Sequence, residues 1–318
     1  MKTVVVTGCC GFIGRYVTKA CLNKCWKVYG IDKLTYVSQK PVYCGNPDFH
    51  FIQEDICNLK RLPDCDYVIN LAAESHVGNS IVSNHEFVHS NVEGVRNLLE
   101  LIRSKPKNAY GKPVFIHFST DEVYGDITEE EGAFYERDVL DPSSPYSASK
   151  AAADMLVTAW SRTYGIKYNI IRPTNNYGIG QYPEKLIPLS VKLLQAEKKI
   201  CLHDKGEPVR SWLHVEDTAA AVMCIIKKGK LNEIYNIGGV EQKNKNVVKK
   251  VIETYYSIFS KEEVDWTKHV NLNFVRKGQD VRYAVDDKKL RALGWSPKKD
   301  FDHELLGIIR DCLYDFRW

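Results

Sequence analysis

The stretch TGCCGFIG at residues 7–14 constrains this chain more than any other, because it follows an apolar run (KTVVVT, 2–7) and opens a helical pattern over 12–25. Gly8, Gly11 and Gly14 stand in a G-x-x-G-x-x-G frame. Glycines there permit a tight strand-to-helix turn and let backbone N–H groups approach an anion at the positive end of the helix. Residues 27–32 (KVYGID) read as a second strand ending in Asp32. A carboxylate at that place accepts hydrogen bonds from both adenosine ribose hydroxyls and repels a 2′-phosphate, which selects NAD over NADP. Strand, loop, helix and acid in this order predict a dinucleotide site. Asp55-Ile56, after the next strand, is placed to contact adenine or, in the case of Asp55, simply to cap the local turn.

Beyond this unit the β/α rhythm continues. Residues 66–71 and 113–119 read as buried strands, 84–104 as a helix, Pro145 to about Tyr164 as another helix, and 167–172 as a further strand. Such alternation predicts a Rossmann-type, doubly wound parallel sheet of the α/β class, with ligands at the carboxyl ends of its strands. After Pro173 the rhythm changes to helices near 184–197, 215–229, 246–260, 286–293 and 301–316, with a strand-like YNIG at 235–238. The expected organisation is a cofactor domain over 1–172, with 211–238 returning to it, and a smaller mixed α/β substrate-binding domain over 173–318.

Tyr146 and Lys150 in YSASK lie four residues apart on a predicted helix and so share one face. A phenol of pKa ~10 acts as a base near neutrality only when a nearby cation stabilises its phenolate. Lys150 and a nicotinamide ring would supply that charge. The segment STDEVYG (119–125) follows a buried strand and so falls at the sheet's carboxyl edge. Thr120 there can hydrogen-bond a reacting hydroxyl, while Asp121 and Glu122 are neighbouring carboxyls, one of which serves as acid and the other as base when a single proton is shared. A capping Asp followed by a first-turn Glu is the plain structural alternative.

With these residues in hand, the chain resembles the extended short-chain dehydrogenase/reductases, most closely the dTDP-glucose 4,6-dehydratase family with its UDP-glucose-using relatives. The resemblance rests on TGCCGFIG, DKLTY (32–36), LAAESHV (71–77), STDEVYG, PYSASK (145–150), NNYG (175–178), PEKLIP (183–188), VRSWLHVED (209–217), YNIGG (235–239) and RKGQDVRYAVD (276–286). It implies that Tyr146 removes the sugar O4 proton as hydride leaves C4 for NAD, assisted by Thr120 and Lys150. Glu122 then takes the C5 proton, Asp121 protonates the departing C6 hydroxyl, and the hydride returns to C6. The product is a 4-keto-6-deoxy sugar. The resemblance further implies Phe12, Ile13, Thr35, Leu71, Ala72, Ala73 and Ser90 along the cofactor, besides Gly8, Gly11, Gly14, Asp32, Asp55 and Ile56. For substrate it implies Glu74, Ser75 and His76 near the hexose, Asn176, Glu184 and Lys185 around sugar and phosphate, and Arg210, Asn244 and Arg276 on the diphosphate. A homodimer through helices near 84–104 and 146–164 is implied as well.

Departures bear on the substrate. Gly78, Asn79 and Ser80 stand where bacterial dTDP-glucose enzymes usually carry Asp-Arg-Ser, and Lys199, Ile200 and Cys201 replace a frequent Pro-Leu-Pro. Gln279 replaces a frequent His, while His203 and Val209-Arg210-Ser211 lean towards the UDP-linked branch. Room near Gly78 makes a 2-acetamido sugar such as UDP-N-acetylglucosamine an alternative substrate. A nucleotide-sugar 4-epimerase is an alternative activity, one that the Asp121–Glu122 pair argues against. A cofactor-sensing regulator on the same fold is the non-enzyme alternative, against which Thr120, Tyr146 and Lys150 argue.

Composition removes other classes. Lys+Arg 44 against Asp+Glu 40 leaves a net charge of +4 without a concentrated basic stripe, so no nucleic-acid partner is expected. No apolar run approaches the ~18 residues of a membrane span, and the N-terminal valines read as a strand rather than a signal segment. The ten cysteines include no C-x-x-C pair, which predicts reduced thiols in the cytoplasm and no metal centre. Cys21 and Cys25, an i,i+4 pair, read as small buried helix residues rather than metal ligands.

Overall fold

The computed structural model describes residues 1–41, 43–106, 111–274 and 280–315. In chain order the strands are β1 (Thr3–Thr7), β2 (Lys27–Asp32), β3 (Phe49–Gln53), β4 (Tyr67–Asn70), β5 (Val114–Phe118), β6 (Tyr168–Pro173), β7 (Asn175–Tyr177), β8 (Ile200–His203), β9 (Val209–His214), β10 (Glu233–Ile237), β11 (Val240–Lys243) and β12 (Val270–Phe274). The helices are α1 (Phe12–Leu22), α2 (Val77–Val82), α3 (His85–Val88), α4 (Gly94–Ser104), α5 (Pro145–Tyr164), α6 (Leu186–Gln195), α7 (Val215–Lys228), α8 (Asn244–Ser257), α9 (Lys288–Arg291) and α10 (Phe301–Arg310).

Seven parallel strands in the order β10-β6-β5-β4-β1-β2-β3 make the central sheet. The Val4-Val5-Val6 run explains why β1 sits in its middle, since both faces of a doubly wound sheet must be apolar. Val4 and Val6 point to the α1/α7 side with Val17, Cys21, Val222 and Ile225, whereas Val5 points to the α4/α5 side with Val68, Leu98, Leu99, Ile102 and Val157. Each such side chain, fully buried, contributes about 1.5–3 kcal/mol. Because β1 lies between β2 and β4, its outgoing connections diverge, and a crevice opens at the carboxyl ends of these strands.

Beyond β6, a three-stranded sheet β11-β9-β7 and a parallel pair β12-β8 pack with α6, α8 and α10 around a separate core that includes Ile187, Val191, Val247, Val251, Leu305 and Ile308. Helix α5, which carries the Tyr-Lys pair, is fixed at both ends. Ser144 and Ser147 form a reciprocal capping box, Pro145 opens the helix, and Gly165 closes it at φ 70°.

The element boundaries differ from the sequence expectation where local chemistry intervenes. The helix expected over 84–104 is α3 and α4 joined by a π turn, His89–Glu93. Within that turn Asn91 faces inward, donating to Glu74 O (3.0 Å) and Ser149 Oγ (2.9 Å) and accepting from the Glu74 N–H (2.9 Å). The extra residue per turn is what lets one asparagine tie the β4 loop to α5. Helix α1 stops at Leu22, short of Cys25, which adopts φ 55°, so Cys21 is buried and Cys25 exposed off the helix. Among the described residues no helix is long and apolar enough to cross a membrane.

Candidate active site

The glycine loop forms the floor of the crevice. Gly8 has φ 67°, and a Cβ on Gly14 would lie 1.9 Å from Gly8 O, so the loop folds onto the first turn of α1 closer than any side chain allows. Gly11 caps α1 without a side-chain acceptor, and the first turn carries no acidic residue. Its backbone N–H groups therefore remain available to an anion, at the end where the helix dipole favours one. Asp32 is buried at the end of β2, where its carboxylate accepts from the N–H groups of Cys10 (3.0 Å) and Leu34 (2.8 Å) and from Ser38 Oγ (3.1 Å). Three donors fix its oxygens at the crevice wall. This arrangement fits NAD: a diphosphate over the α1 terminus and a ribose against Asp32.

Two joined hollows share Gly8, Gly11, Leu71 and Ala73. The smaller one, at the Asp32 end, is walled by Asp32, Thr35, Asp55, Ile56, Ala72, Glu74 and Ser90. Lys33 crosses it, donating to Ser90 Oγ (3.1 Å) and lying near Asp55 (3.6 Å) and Glu74 (3.7 Å). The larger, about 250 Å³, is walled by Phe12, Ile13, Gly14, Ser75, Thr120, Asp121, Glu122, Tyr146, Lys150, Asn176, Glu184 and Lys185. Two stretches distant in sequence, STDE after β5 and YSASK at the start of α5, thus meet in one hollow.

Here the chemistry concentrates. Thr120, two residues beyond β5, caps the short 3₁₀ turn Asp121–Tyr124, its hydroxyl accepting from the Glu122 N–H (3.3 Å) and donating to Asp121 Oδ1 (3.2 Å). Asp121 Oδ2 is buried without a partner. Burial raises Asp121 to about 6, against the nearby hydroxyls of Thr174 and Thr120 and the charge of Arg210. Burial and the Asp121 charge raise Glu122 to about 7, against Lys185 and Arg210. Adjacent carboxyls titrate as one system, so near neutrality the pair holds a single proton and offers one acid and one base.

Burial, followed by Glu122 and Asp121, pushes the Tyr146 phenol above the ordinary range, and only the Thr120 hydroxyl opposes them. Lys150 donates to Phe118 O at 2.5 Å, and burial lowers it to about 8 against the opposing charge of Asp154. The chain by itself therefore keeps Tyr146 protonated. Activation of the phenol requires the Lys150 ammonium together with the positive charge of a bound nicotinamide.

The remaining expected residues divide. Lys185 Nζ donates to Ser75 O (2.8 Å), and Glu184 accepts from Tyr36 Oη (2.8 Å), which itself accepts from Asn79 (3.1 Å); these contacts link the segment before α6 to the loops after β2 and β4. Asn176 lines the hollow while its side chain bonds Thr174 O and the Thr218 hydroxyl. Arg210 is buried, lies over the Tyr283 ring at 4.3 Å, and donates to the carbonyls of Val209, Val281 and Asp280. It is thus no surface ion pair, and its charge acts on both Asp121 and Glu122. Asn244 opens α8 with its Oδ1 buried and unpartnered, away from the walls of both hollows. Arg276 and Gln279 lie outside the described residues. His76 caps α2 through Nδ1, which accepts from the Asn79 N–H (3.1 Å). A Cβ on Gly78 would meet the His76 ring at 2.9 Å. The room expected at Gly78 is therefore filled by the imidazole, and Gly78 does not enlarge the sugar pocket. Sequence reading missed Ser38, Thr174, Gln181 and Tyr182 as wall residues. None carries a spacing signal, since loops bring them in.

A model of the family described as GDP-mannose 4,6 dehydratase matches residues 5–306. The dTDP-glucose 4,6-dehydratase 1 of Escherichia coli K12 is 38% identical over 342 aligned positions, covering 99% of this chain and 94% of the relative. Among solved structures, the dTDP-glucose 4,6-dehydratase of Streptomyces venezuelae with NAD bound superimposes with a TM-score of 0.89 at 34% identity, covering 98% and 97% of the two chains. The UDP-glucose 4-epimerase of Thermus thermophilus in complex with NAD gives 0.84 at 25%, covering 99% and 100%.

Proposed function

We propose the following assignment of roles from the premise that this chain belongs to the nucleotide-sugar 4,6-dehydratase family of extended short-chain dehydrogenase/reductases. The protein is an NAD-dependent nucleoside-diphosphate-hexose 4,6-dehydratase, a lyase of deoxysugar synthesis. Bound NAD supplies reversible oxidation of the sugar at C4 and the matching reduction at C6. The single observation that carries the assignment of roles is the Asp121–Glu122 pair, raised to about 6 and about 7, in the same hollow as Tyr146 and Lys150.

Tyr146 takes the O4 proton, with the Thr120 hydroxyl orienting the phenol and Lys150 offsetting the charge left on it. The 4-ketone acidifies the C5 proton, which Glu122 removes from its partly open position in the hollow. Glu122 holds the shared proton more tightly than Asp121, so that proton passes to Asp121 before the elimination, and Asp121 donates it to the departing C6 hydroxyl. The same two groups, now with their protons exchanged, serve the return at C5. Asp32, Gly8, Gly11, Gly14, Phe12, Ile13, Thr35, Leu71, Ala72, Ala73, Asp55, Ile56 and Ser90 hold the cofactor. Ser75, Asn176, Glu184 and Lys185 face the sugar and phosphates, whereas Glu74 stands on the adenosine wall and Asn244 outside both hollows; Arg210 and Arg276 serve the diphosphate, Arg210 by turning its fork away from the carbonyls that hold it.

The sugar is glucose linked to UDP or dTDP, and Lys199-Ile200-Cys201 and His203 favour UDP. The 2-acetamido alternative loses its support with the space at Gly78. We divide the chain into a cofactor domain, 1–172 with 211–238, and a substrate domain formed mainly by 173–318. This reading is supported by β10 joining the central sheet beside β6. The enzyme works in the cytoplasm, which fits ten free cysteines, and as a homodimer. To test the substrate, purified protein is given UDP-glucose, dTDP-glucose and UDP-N-acetylglucosamine separately without added NAD, and product mass is followed. Loss of one water is expected with UDP-glucose at the highest kcat/KM. Preference for the acetamido sugar overturns the substrate assignment, and unchanged mass with all three overturns the roles given to Asp121 and Glu122.

A further inference from the structure

Outside the hollow that carries the chemistry, folding gathers Asp55, Cys57 and His89, one ligand atom from each lying within 4.8 Å of the others. No sequence spacing announces this group. Asp55 and Cys57 come from the loop after β3, and His89 comes from the first residue of the π turn between α3 and α4. The grouping is already held together: Cys57 Sγ donates to His89 O (3.3 Å), and the Cys57 N–H donates to Asp55 Oδ1 (2.9 Å). The other grouping of this kind among the described residues, Cys9, Cys10 and Asp32, belongs to the cofactor loop, where Asp32 is bound by backbone N–H groups.

We propose that Asp55, Cys57 and His89 form a binding site for a zinc-class divalent cation at the adenosine end of the cofactor crevice. Oxygen, sulfur and nitrogen donors in one set suit zinc or cobalt and exclude magnesium and calcium, which take oxygen alone. Bond lengths of about 2.0–2.3 Å require the donors to close by roughly 1 Å from their present spacing. Half-buried side chains on a loop and a π turn have that freedom. On binding, the Cys57 thiol releases its proton to solvent and no electron moves. Its thiolate and the Asp55 carboxylate then neutralise the dication, leaving one position for water. Lys33 is the competing cation at 3.6 Å from Asp55, but Glu74 and Glu86 lie within its reach at 3.7 and 3.9 Å and can receive it. Because Asp55, Ile56 and Ser90 wall the adenosine hollow, a metal tying this loop to the π turn stiffens the wall, so cofactor leaves more slowly from the loaded protein.

The test is a titration of the purified, chelator-treated holoenzyme with Co(II). One equivalent is expected to bind, with a thiolate-to-cobalt charge-transfer band in the near ultraviolet and tetrahedral visible bands, both displaced by Zn(II). Cys57→Ser, which preserves a donor to His89 O, and His89→Gln each weaken uptake at least tenfold. Both retain the melting temperature and the metal-free dehydratase activity of the parent. Cys25→Ser, Cys44→Ser and Cys201→Ser, at exposed thiols, leave the spectrum unchanged. Absence of a saturable first equivalent, or uptake retained by both Cys57→Ser and His89→Gln, overturns the site. Neither result touches the assignment of the dehydratase, which is read from product mass.

Discussion

Between about pH 6 and about pH 7 the carboxyls of Asp121 and Glu122 share a single proton, and this protonation state is what an elimination needs. Turnover is therefore expected to fall below about pH 6, where the pair is doubly protonated and no base remains. It also falls above about pH 8, where the pair is ionised and Lys150, lowered to about 8, loses its charge. A kcat profile flat from pH 5 to 9 contradicts this. Glu122→Gln is expected to retain cofactor but to lose about 10²–10⁴-fold in dehydration. Its stability has a definite sign. In the folded protein Glu122 binds its proton up to about pH 7, above the ordinary carboxyl value, so the native state holds more protons than the unfolded chain in between. Stability conferred by the protonated form is thus lost as pH rises through that window. The glutamine variant escapes this loss, and its unfolding free energy should exceed the parent's at pH 8 by an amount of order 1 kcal/mol, with a smaller difference at pH 5. The T-D-E triplet and the Tyr-Lys spacing could be brought together from the sequence because each follows a strand expected at the sheet's carboxyl edge, and both line one hollow. The high phenol of Tyr146 was not legible there, since burial and the nearness of Glu122 arise only when β5 and α5 are brought together.

Elements decide how firmly these residues are held. Helix α5 could be read from Ser144-Pro145 to Gly165 because its signals are local. The π turn at His89–Glu93 could not, since it exists to let Asn91 bridge Glu74 and Ser149, partners that no periodicity records. The crowding at Gly14 makes a sharp prediction: Gly14→Ala forces Gly8 O away from α1, costs about 1–3 kcal/mol in overpacking, and lowers the cofactor content of purified protein, read from its absorbance ratio. Below Lys150, Asp154 accepts from Arg172 at 2.9 and 3.0 Å and from Ser119 at 3.0 Å, and both charged groups are almost fully buried. Asp154→Asn leaves the Arg172 charge without its counterion and should destabilise by about 3–5 kcal/mol in denaturant unfolding.

At the scale of the molecule, one sheet collects groups from five connections at its carboxyl edge, which is why motifs scattered over the sequence converge on one crevice. The parallel sheet could be anticipated from alternating buried strands and amphipathic helices. The short strands β7, β8, β9, β11 and β12 could not, because each is three to six residues long and pairs only with distant partners. Assembly is the remaining property at this scale. Val82, Val88 and Met155 expose 89%, 54% and 54% of their surface on α2, α3 and α5, apolar area that the proposed homodimer would cover. Val88→Asp together with Met155→Lys is expected to convert a sedimenting dimer to monomer, and a parent protein already monomeric at micromolar concentration contradicts the dimer. The central claim, that Asp121 and Glu122 eliminate water in the hollow where Tyr146 and Lys150 act at C4, is tested most directly by turnover of the nucleotide sugar in deuterium oxide, followed by product mass and proton NMR. The account predicts loss of one water and one deuteron at C5, both absent in Glu122→Gln. A product of unchanged mass, altered only at C4 and carrying no deuterium, would contradict it.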